Sequence, residues 1–226
     1  MQCPYCKEEI IDGALKCKHC GSDTISLPAD PVAGAADFGG MFNTTFTLWK
    51  ENLGDLVILT LVFLLLGLIP IVNIGFTAGY TRALLKVSRG QGKAQVSDLF
   101  NAWDCFVNLF LFVLATLVAV LVLHIVPLIG TLAAIVLGFI AVPGGLAIID
   151  KGKGVVDAYA WSLQTIRADF VNWFVAYLVG NVIAGAGAIA LVIGLILTAP
   201  LGELFIIQQY ERVKPADPQP DPGATP

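Results

Sequence analysis

Residues 53–87, 105–149 and 170–210 form three apolar stretches, each long enough for two bilayer-crossing helices, and nothing else in the chain constrains its fold as strongly. A crossing helix takes about 20 residues, within roughly 17 to 25. Backbone in hydrocarbon must satisfy its own hydrogen bonds, so runs of this kind read as helices. Interruptions near the middle of each stretch supply turns: Pro70 and Asn73 in the first, residues 124–130 in the second, residues 185–194 in the third. Each stretch is therefore predicted to be a helical hairpin, and the fold class is an all-α polytopic membrane bundle of about six spans. The first hairpin is the tightest, with about 17 residues per half, the lower limit for crossing. A re-entrant hairpin buried against its neighbours is the alternative there. Composition agrees: 57% of residues are hydrophobic and 13% charged, against about a half and a quarter in soluble domains.

The basic residues give an independent check, because Lys and Arg favour the cytoplasmic ends of spans. Arg82, Lys86, Arg89 and Lys93 fall between the first and second stretches, and Lys151, Lys153 and Arg167 between the second and third. Arg212 and Lys214 follow the last; Lys7, Lys16, Lys18 and Lys50 precede the first. None falls at a hairpin tip. Six crossings of a membrane, with both termini in the cytoplasm, put every one of them on one side.

The stretches also resemble one another. Trp49, Trp103 and Trp161 each precede one, and residues 106–110 (FVNLF) match 170–174 (FVNWF). Pro143-Gly144-Gly145 parallels Pro200-Leu201-Gly202, with Gly79 as the first copy's counterpart of Gly145 and Gly202. A threefold repeat over about 41–95, 96–154 and 155–213 is expected; the alternative is that apolar helices entering a membrane share Trp, Phe and Gly in any case. Amphipathic segments precede two of the stretches. The clearest has Val156, Tyr159, Leu163, Ile166 and Phe170 on one face, with Asp157, Ser162, Thr165 and Asp169 on others. Such a helix lies along the headgroup boundary or packs on the end of the bundle.

The strongest chemical signal is Cys3-Pro4-Tyr5-Cys6 followed by Cys17-Lys18-His19-Cys20. Two such pairs converge as knuckles on one metal in a tetrahedral four-thiolate site. With no open position for water, the site is structural rather than catalytic, and in a segment too small for a core, metal binding drives folding. Zinc is the expected ion; iron or an incidental cysteine pattern are the other readings. The first residues carry no basic segment followed by an apolar one, so the cysteines are expected to face a reducing compartment that favours metal over disulfide. Residues 1–21 are thus read as a small N-terminal zinc ribbon, the Pro/Ala/Gly/Asp-rich residues 22–40 as a flexible linker, residues 41–213 as the membrane domain, and the proline-rich residues 214–226 as a disordered tail.

These residues resemble the short zinc ribbons that open many bacterial proteins of otherwise unrelated architecture. The resemblance covers about the first 22 residues and implies zinc on Cys3, Cys6, Cys17 and Cys20 and a bacterial source, with the inner membrane as the location. The membrane part more loosely resembles poorly characterised six-helix families, including the membrane domain found beside some glycerophosphodiester phosphodiesterases, through its hairpin layout and Pro-x-Gly exits.

An ionisable group inside a span is a functional candidate. Glu203 is the foremost one, about 8 Å from the boundary when counted to Gln208 at 1.5 Å per residue. It is expected either to pair with Arg82 or Lys86 or to serve a proton or ion relay. His124 is expected at a hairpin tip, Cys105 as a small apolar side chain at the start of a span, and Asn73, Asn108 and Asn172 as interhelical hydrogen-bonding residues. Gly180, Gly185, Gly187 and Gly194 are expected to let helices approach closely. The chain holds no phosphate-cradling loop, no His-Glu-x-x-His and no Ser, His and Asp set in the spans, so an enzyme is not expected.

The expected function is that of a non-enzymatic membrane protein, in contact with the lipid bilayer, whose tethered cytoplasmic ribbon binds a protein partner or regulates the bundle. The alternative is a small transporter or channel formed by the bundle, as repeated hairpins with broken helices suggest. A sensor that signals loss of metal is a third reading. The ribbon sets Lys7, Lys16 and Lys18 against Glu8, Glu9 and Asp12. That is no basic patch, so nucleic acid is not an expected partner.

Overall fold

The computed structural model describes residues 36–214 apart from Val126 and Ala190. The ribbon, its four cysteines, most of the linker and the tail lie outside the described residues. Those described form eight helices and no strand: α1 (Phe38–Glu51), α2 (Leu53–Leu66), α3 (Val72–Ser88), α4 (Phe106–Leu123), α5 (Pro127–Lys151), α6 (Val155–Ala168), α7 (Phe170–Ile189) and α8 (Leu191–Val213), with 3-10 turns at Val96–Phe100 and Trp103–Cys105. The pairs α2–α3, α4–α5 and α7–α8 pack together and fall on the three apolar stretches.

Local chemistry sets the ends of these helices. Asp37 caps α1, its Oδ1 accepting the Gly40 N–H at 2.9 Å, and the buried Ala36 donates its backbone N–H to Asn172 Oδ1 at 3.1 Å. Ordered structure therefore begins before the expected linker boundary at residue 40. The cap signal at Asp37 sits inside a run whose composition alone reads as tether. Gly90, at φ +64°, ends α3. Its N–H meets the Val87 carbonyl while Gln91 N–H meets Lys86 O, both at 3.0 Å. This is the paired closure that needs a left-handed residue just past a helix.

Helix α3 is the centre of the bundle, with Ala78, Gly79, Tyr80, Ala83, Leu84 and Leu85 all buried. Around it lie Leu56 and Leu59 of α2, Ala147 and Leu146 of α5, and Leu204 and Ile207 of α8. Tyr80 stacks on Phe63 at 4.5 Å between ring centroids and shares a 3.0 Å hydrogen bond with Thr60. Helices α7 and α8 touch through glycine: a Cβ on Gly202 would strike the Gly180 carbonyl and Ala184. Between apolar helices in lipid such backbone approach, rather than exclusion of water, holds the pair together. Gly185, by contrast, faces open space.

A short helical segment precedes each of the three pairs, and each packs on the second helix of another pair. The 3-10 turn at Val96–Phe100 lies on α3, where Gly79 leaves room for the Leu99 backbone; α6 lies on α5, and α1 on α8. Two of these contacts are specific. Pro143 in α5 and Pro200 in α8 lack an N–H and open the preceding helical turn. Three residues before each proline, a backbone carbonyl takes a side-chain donor from the bracing segment: Ile140 O accepts from Ser162 of α6, and Leu197 O accepts from Trp49 Nε1 of α1 at 2.9 Å.

The face that α6 buries matches the expected apolar stripe only in part. Ile166 is buried and Tyr159 stacks on Phe112, whereas Val156, Leu163 and Phe170 are exposed, and Ala158, Trp161, Ser162 and Thr165 are buried instead. The small side chains of Ala158 and Ser162 let α6 close on α5, with Val156 and Leu163 facing outward.

Among the described residues three helices are long and apolar enough to cross a membrane: α4 with its preceding turns (Val96–Leu123), α5 (Gly130–Lys151) and α7 (Phe170–Ala188). Their outer faces carry exposed apolar side chains in rows, among them Leu111, Leu114, Val118 and Leu121 on α4 and Phe174, Leu178 and Val182 on α7. Such continuous apolar surface is compatible with contact to a lipid bilayer. Helix α2 is shorter, at 14 residues. The turn that follows it exposes Leu68, Ile69 and Ile71, the last at φ +67°, a conformation disfavoured for a β-branched residue.

Candidate functional site

Helix α8 brings Glu203 against α3, where Thr81 Oγ1 donates to Glu203 Oε1 at 2.6 Å. The expected pairing with Arg82 or Lys86 does not form. Arg82 gives both terminal nitrogens to Asp104, at 2.6 and 2.7 Å, and its Nε to the Ile149 carbonyl at 2.9 Å. Lys86 reaches Asp98 at 3.0 Å. The reason is helical rotation: one residue turns about 100°, so if Thr81 faces α8, Arg82 and its neighbour one turn on face the loop that carries Asp98 and Asp104. Among the described residues no basic side chain pairs with Glu203.

Glu203 opens onto a cavity of about 670 Å³ between α3, α4, α5, α7 and α8. Leu109, Phe112 and Val113 of α4, Val142, Gly145 and Leu146 of α5, and Ala184, Ala199 and Ile206 of α7 and α8 make its apolar walls. Its polar lining is Asn73, Thr77 and Thr81 on α3 and Asn181 on α7, and Glu203 is the one ionisable side chain among the described lining residues. The volume lies within the range of small-molecule pockets. An acid so placed, with apolar walls and no built-in cation, can hold a proton or a positively charged group. Among the described residues no cluster of three metal-ligating side chains occurs.

The sequence flags Glu203 but not Thr81 or the cavity. One signal was available: Asn73, Thr77 and Thr81 recur every four residues, a polar stripe down one face of α3.

At the charged end of the bundle, Arg89 joins the last turns of three helices. It donates to Asp150 at 2.7 and 2.8 Å and to Glu211 at 2.7 and 2.9 Å. Tyr210 OH adds a 2.9 Å bond to Asp150. The Asp150 carboxylate, aided by Glu211 and opposed by burial, holds the Arg89 guanidinium above its ordinary range. Nearby, Asp169 accepts from Asn172 Nδ2 at 2.5 Å and from the buried Gln209 at 2.7 Å.

The remaining candidates occupy quieter places. His124 ends α4, exposed, with Nδ1 2.9 Å from the Val120 carbonyl. Cys105 is buried, its Sγ 3.2 Å from the Ala102 carbonyl. Asn73 reaches back across its turn to Gly67 O at 3.4 Å. Cys3, Cys6, Cys17 and Cys20 lie outside the described residues.

Comparison of the chain with protein-family models, with curated proteins and with solved structures gives no match in any of the three.

Proposed function

We propose that the chain is a non-enzymatic protein of the bacterial inner membrane whose bundle binds a small solute at Glu203 and gives it passage, with the N-terminal ribbon as a regulatory module. The observation that carries this reading is the carboxyl of Glu203, turned to an open pocket between the helices while the cations expected to meet it, Arg82 and Lys86, are committed to Asp104 and Asp98. A side chain kept only for structure would be expected to take one of those cations.

We read the chain as three copies of one unit, a short helical segment followed by a hairpin, with both termini and the basic residues cytoplasmic. The second and third hairpins cross fully. The 14 residues of α2 reach about 21 Å, short of the roughly 30 Å hydrocarbon core. With its apolar turn, that favours a re-entrant first hairpin over a sixfold crossing. We further infer that Cys3, Cys6, Cys17 and Cys20 hold a structural zinc, on the strength of their paired spacing.

The solute-binding reading is tested by thermal stabilisation of the protein in nanodiscs against a panel of small amines, alcohols and carboxylates. Gly145 lines the cavity with open space where a Cβ would stand, so Gly145→Phe fills it without a backbone clash. Stabilisation seen in wild type and lost in Gly145→Phe supports the reading. No stabilisation by any solute, or equal stabilisation of the variant, refutes it.

A second reading rests on the cysteine spacing: the ribbon recruits a protein partner to the membrane. Affinity capture from native membranes with wild type beside a Cys3→Ser, Cys6→Ser variant decides it. A partner lost together with zinc supports recruitment, and an unchanged set of partners refutes it.

A further inference from the structure

We infer that the ligand of the Glu203 cavity is an organic monocation, an ammonium on an apolar body. The inference rests on the solute-binding reading above and names the class of solute.

Charge balance is the first ground. The cavity offers one carboxyl and no basic residue among its described lining, and a carboxyl in low dielectric either holds a proton or keeps its charge only where a positive one meets it. Arg82 and Lys86 are spent on Asp104 and Asp98, so the partner comes from outside. A monocation completes a neutral pair, which spares the complex the cost of carrying net charge at membrane depth.

Hydrogen-bond capacity is the second. Thr77 gives its hydroxyl proton to the Asn73 carbonyl at 2.9 Å, and Thr81 gives its own to Glu203. Asn181 directs an N–H to Tyr177 O at 2.8 Å, and Asn73 one to Gly67 O. What the hydroxyls have left are lone pairs. With the carboxylate and the amide oxygens they make a lining richer in acceptors than donors, suited to an ammonium, which donates, and unsuited to an anion.

The walls supply the third ground. A bare divalent cation takes six or more oxygen ligands in a tight shell, whereas this cavity is mostly apolar and far larger than an ion. Phe112, fixed by stacking on Tyr159 at 4.2 Å between centroids, adds an aromatic side chain of the kind that accompanies organic cations.

The test compares three probes of similar shape, phenethylammonium, phenethyl alcohol and phenylacetate, binding to the full chain in nanodiscs with empty nanodiscs as the blank. Wild type is expected to bind the ammonium at least about tenfold more tightly than the alcohol, the scale of one hydrogen bond to a charged group, and phenylacetate not at all. In Glu203→Gln the ammonium falls to the level of the alcohol while the alcohol is unchanged, and Gly145→Phe loses both. Alcohol and ammonium binding equally in wild type overturns the cationic class while leaving the cavity as a solute site. Sodium abolishing ammonium binding at constant ionic strength assigns the site to a metal cation and overturns it too. Absence of binding by all three probes overturns both this inference and the solute-binding reading. The wild-type ranking decides the class even if Glu203→Gln fails to fold.

Discussion

Replacing Arg89 by Met removes the cation that joins α3 to α5 and α8 while keeping a long, flexible apolar stem. The loss can be worked from the contacts. Arg89 makes four hydrogen bonds of 2.7 to 2.9 Å, and the Asp150 and Glu211 side chains are only 6% and 19% exposed. Removing one member of a buried ion pair costs about 3–5 kcal/mol, mainly because the other charge is left without compensation. Here part of that compensation survives: Lys151 lies 3.7 Å from Asp150, Tyr210 bonds to it, and Lys214 lies 2.7 Å from Glu211. The expected loss is therefore about 3 kcal/mol, at the lower end of that range. At roughly 2–4 °C per kcal/mol for a chain of this size, the melting temperature should fall by roughly 6–12 °C. Thermal melts in nanodiscs, followed by tryptophan fluorescence, measure it. The decisive control is Arg89→Met combined with Asp150→Asn and Glu211→Gln, which removes the orphaned charges and should recover most of the loss. An unchanged melt for Arg89→Met, or a triple variant as unstable as the single, would refute the reasoning.

Three further outcomes are expected. Gly202→Val places a side chain against the Gly180 carbonyl and should lower stability by about 1–3 kcal/mol through overpacking, whereas Gly185→Ala, in open space, should melt like wild type. If the first hairpin is re-entrant, Ile71→Cys in intact cells resists a membrane-impermeant maleimide that labels His124→Cys at the turn of the second; labelling of both shows that the first hairpin crosses. Purified wild type should carry zinc by elemental analysis, the Cys3→Ser, Cys6→Ser variant should not, and the melt of the helical bundle should be the same with and without the metal.

The helices were legible because lipid-length apolar runs leave few alternatives, and their bounds fall within a few residues of the expected ones. Turns at Pro70, His124 and the glycines near residue 190 were marked by residues that interrupt a helix or allow a sharp bend. What the sequence left open was rotation. Whether Glu203 meets Thr81 or Arg82 depends on which face of α3 is turned to α8, and both residues are polar neighbours in the chain. The same ambiguity hid the contact of α6, where Ser162 and Thr165 face the bundle because small hydroxyl side chains permit closeness that Leu163 does not. Composition likewise ran past Asp37, a single capping residue that starts a helix inside a tether-like run.

The bracing of each second helix by a segment from the next unit has a consequence for how the chain is made. Trp49 lies 148 residues before the Leu197 carbonyl that it meets, so α1 waits for α8. Until α8 arrives, the indole of Trp49 and the underside of α1 lack their docking surface, and a truncated chain displays that fact at its membrane boundary. The three contacts also follow one another in cyclic order, the segment before each pair lying on the second helix of the preceding pair and α1 on α8 completing the series. A permuted gene that opens the chain at Gly90–Gly92 and ties residue 214 to residue 36 by a flexible linker should make the same contacts in a different order.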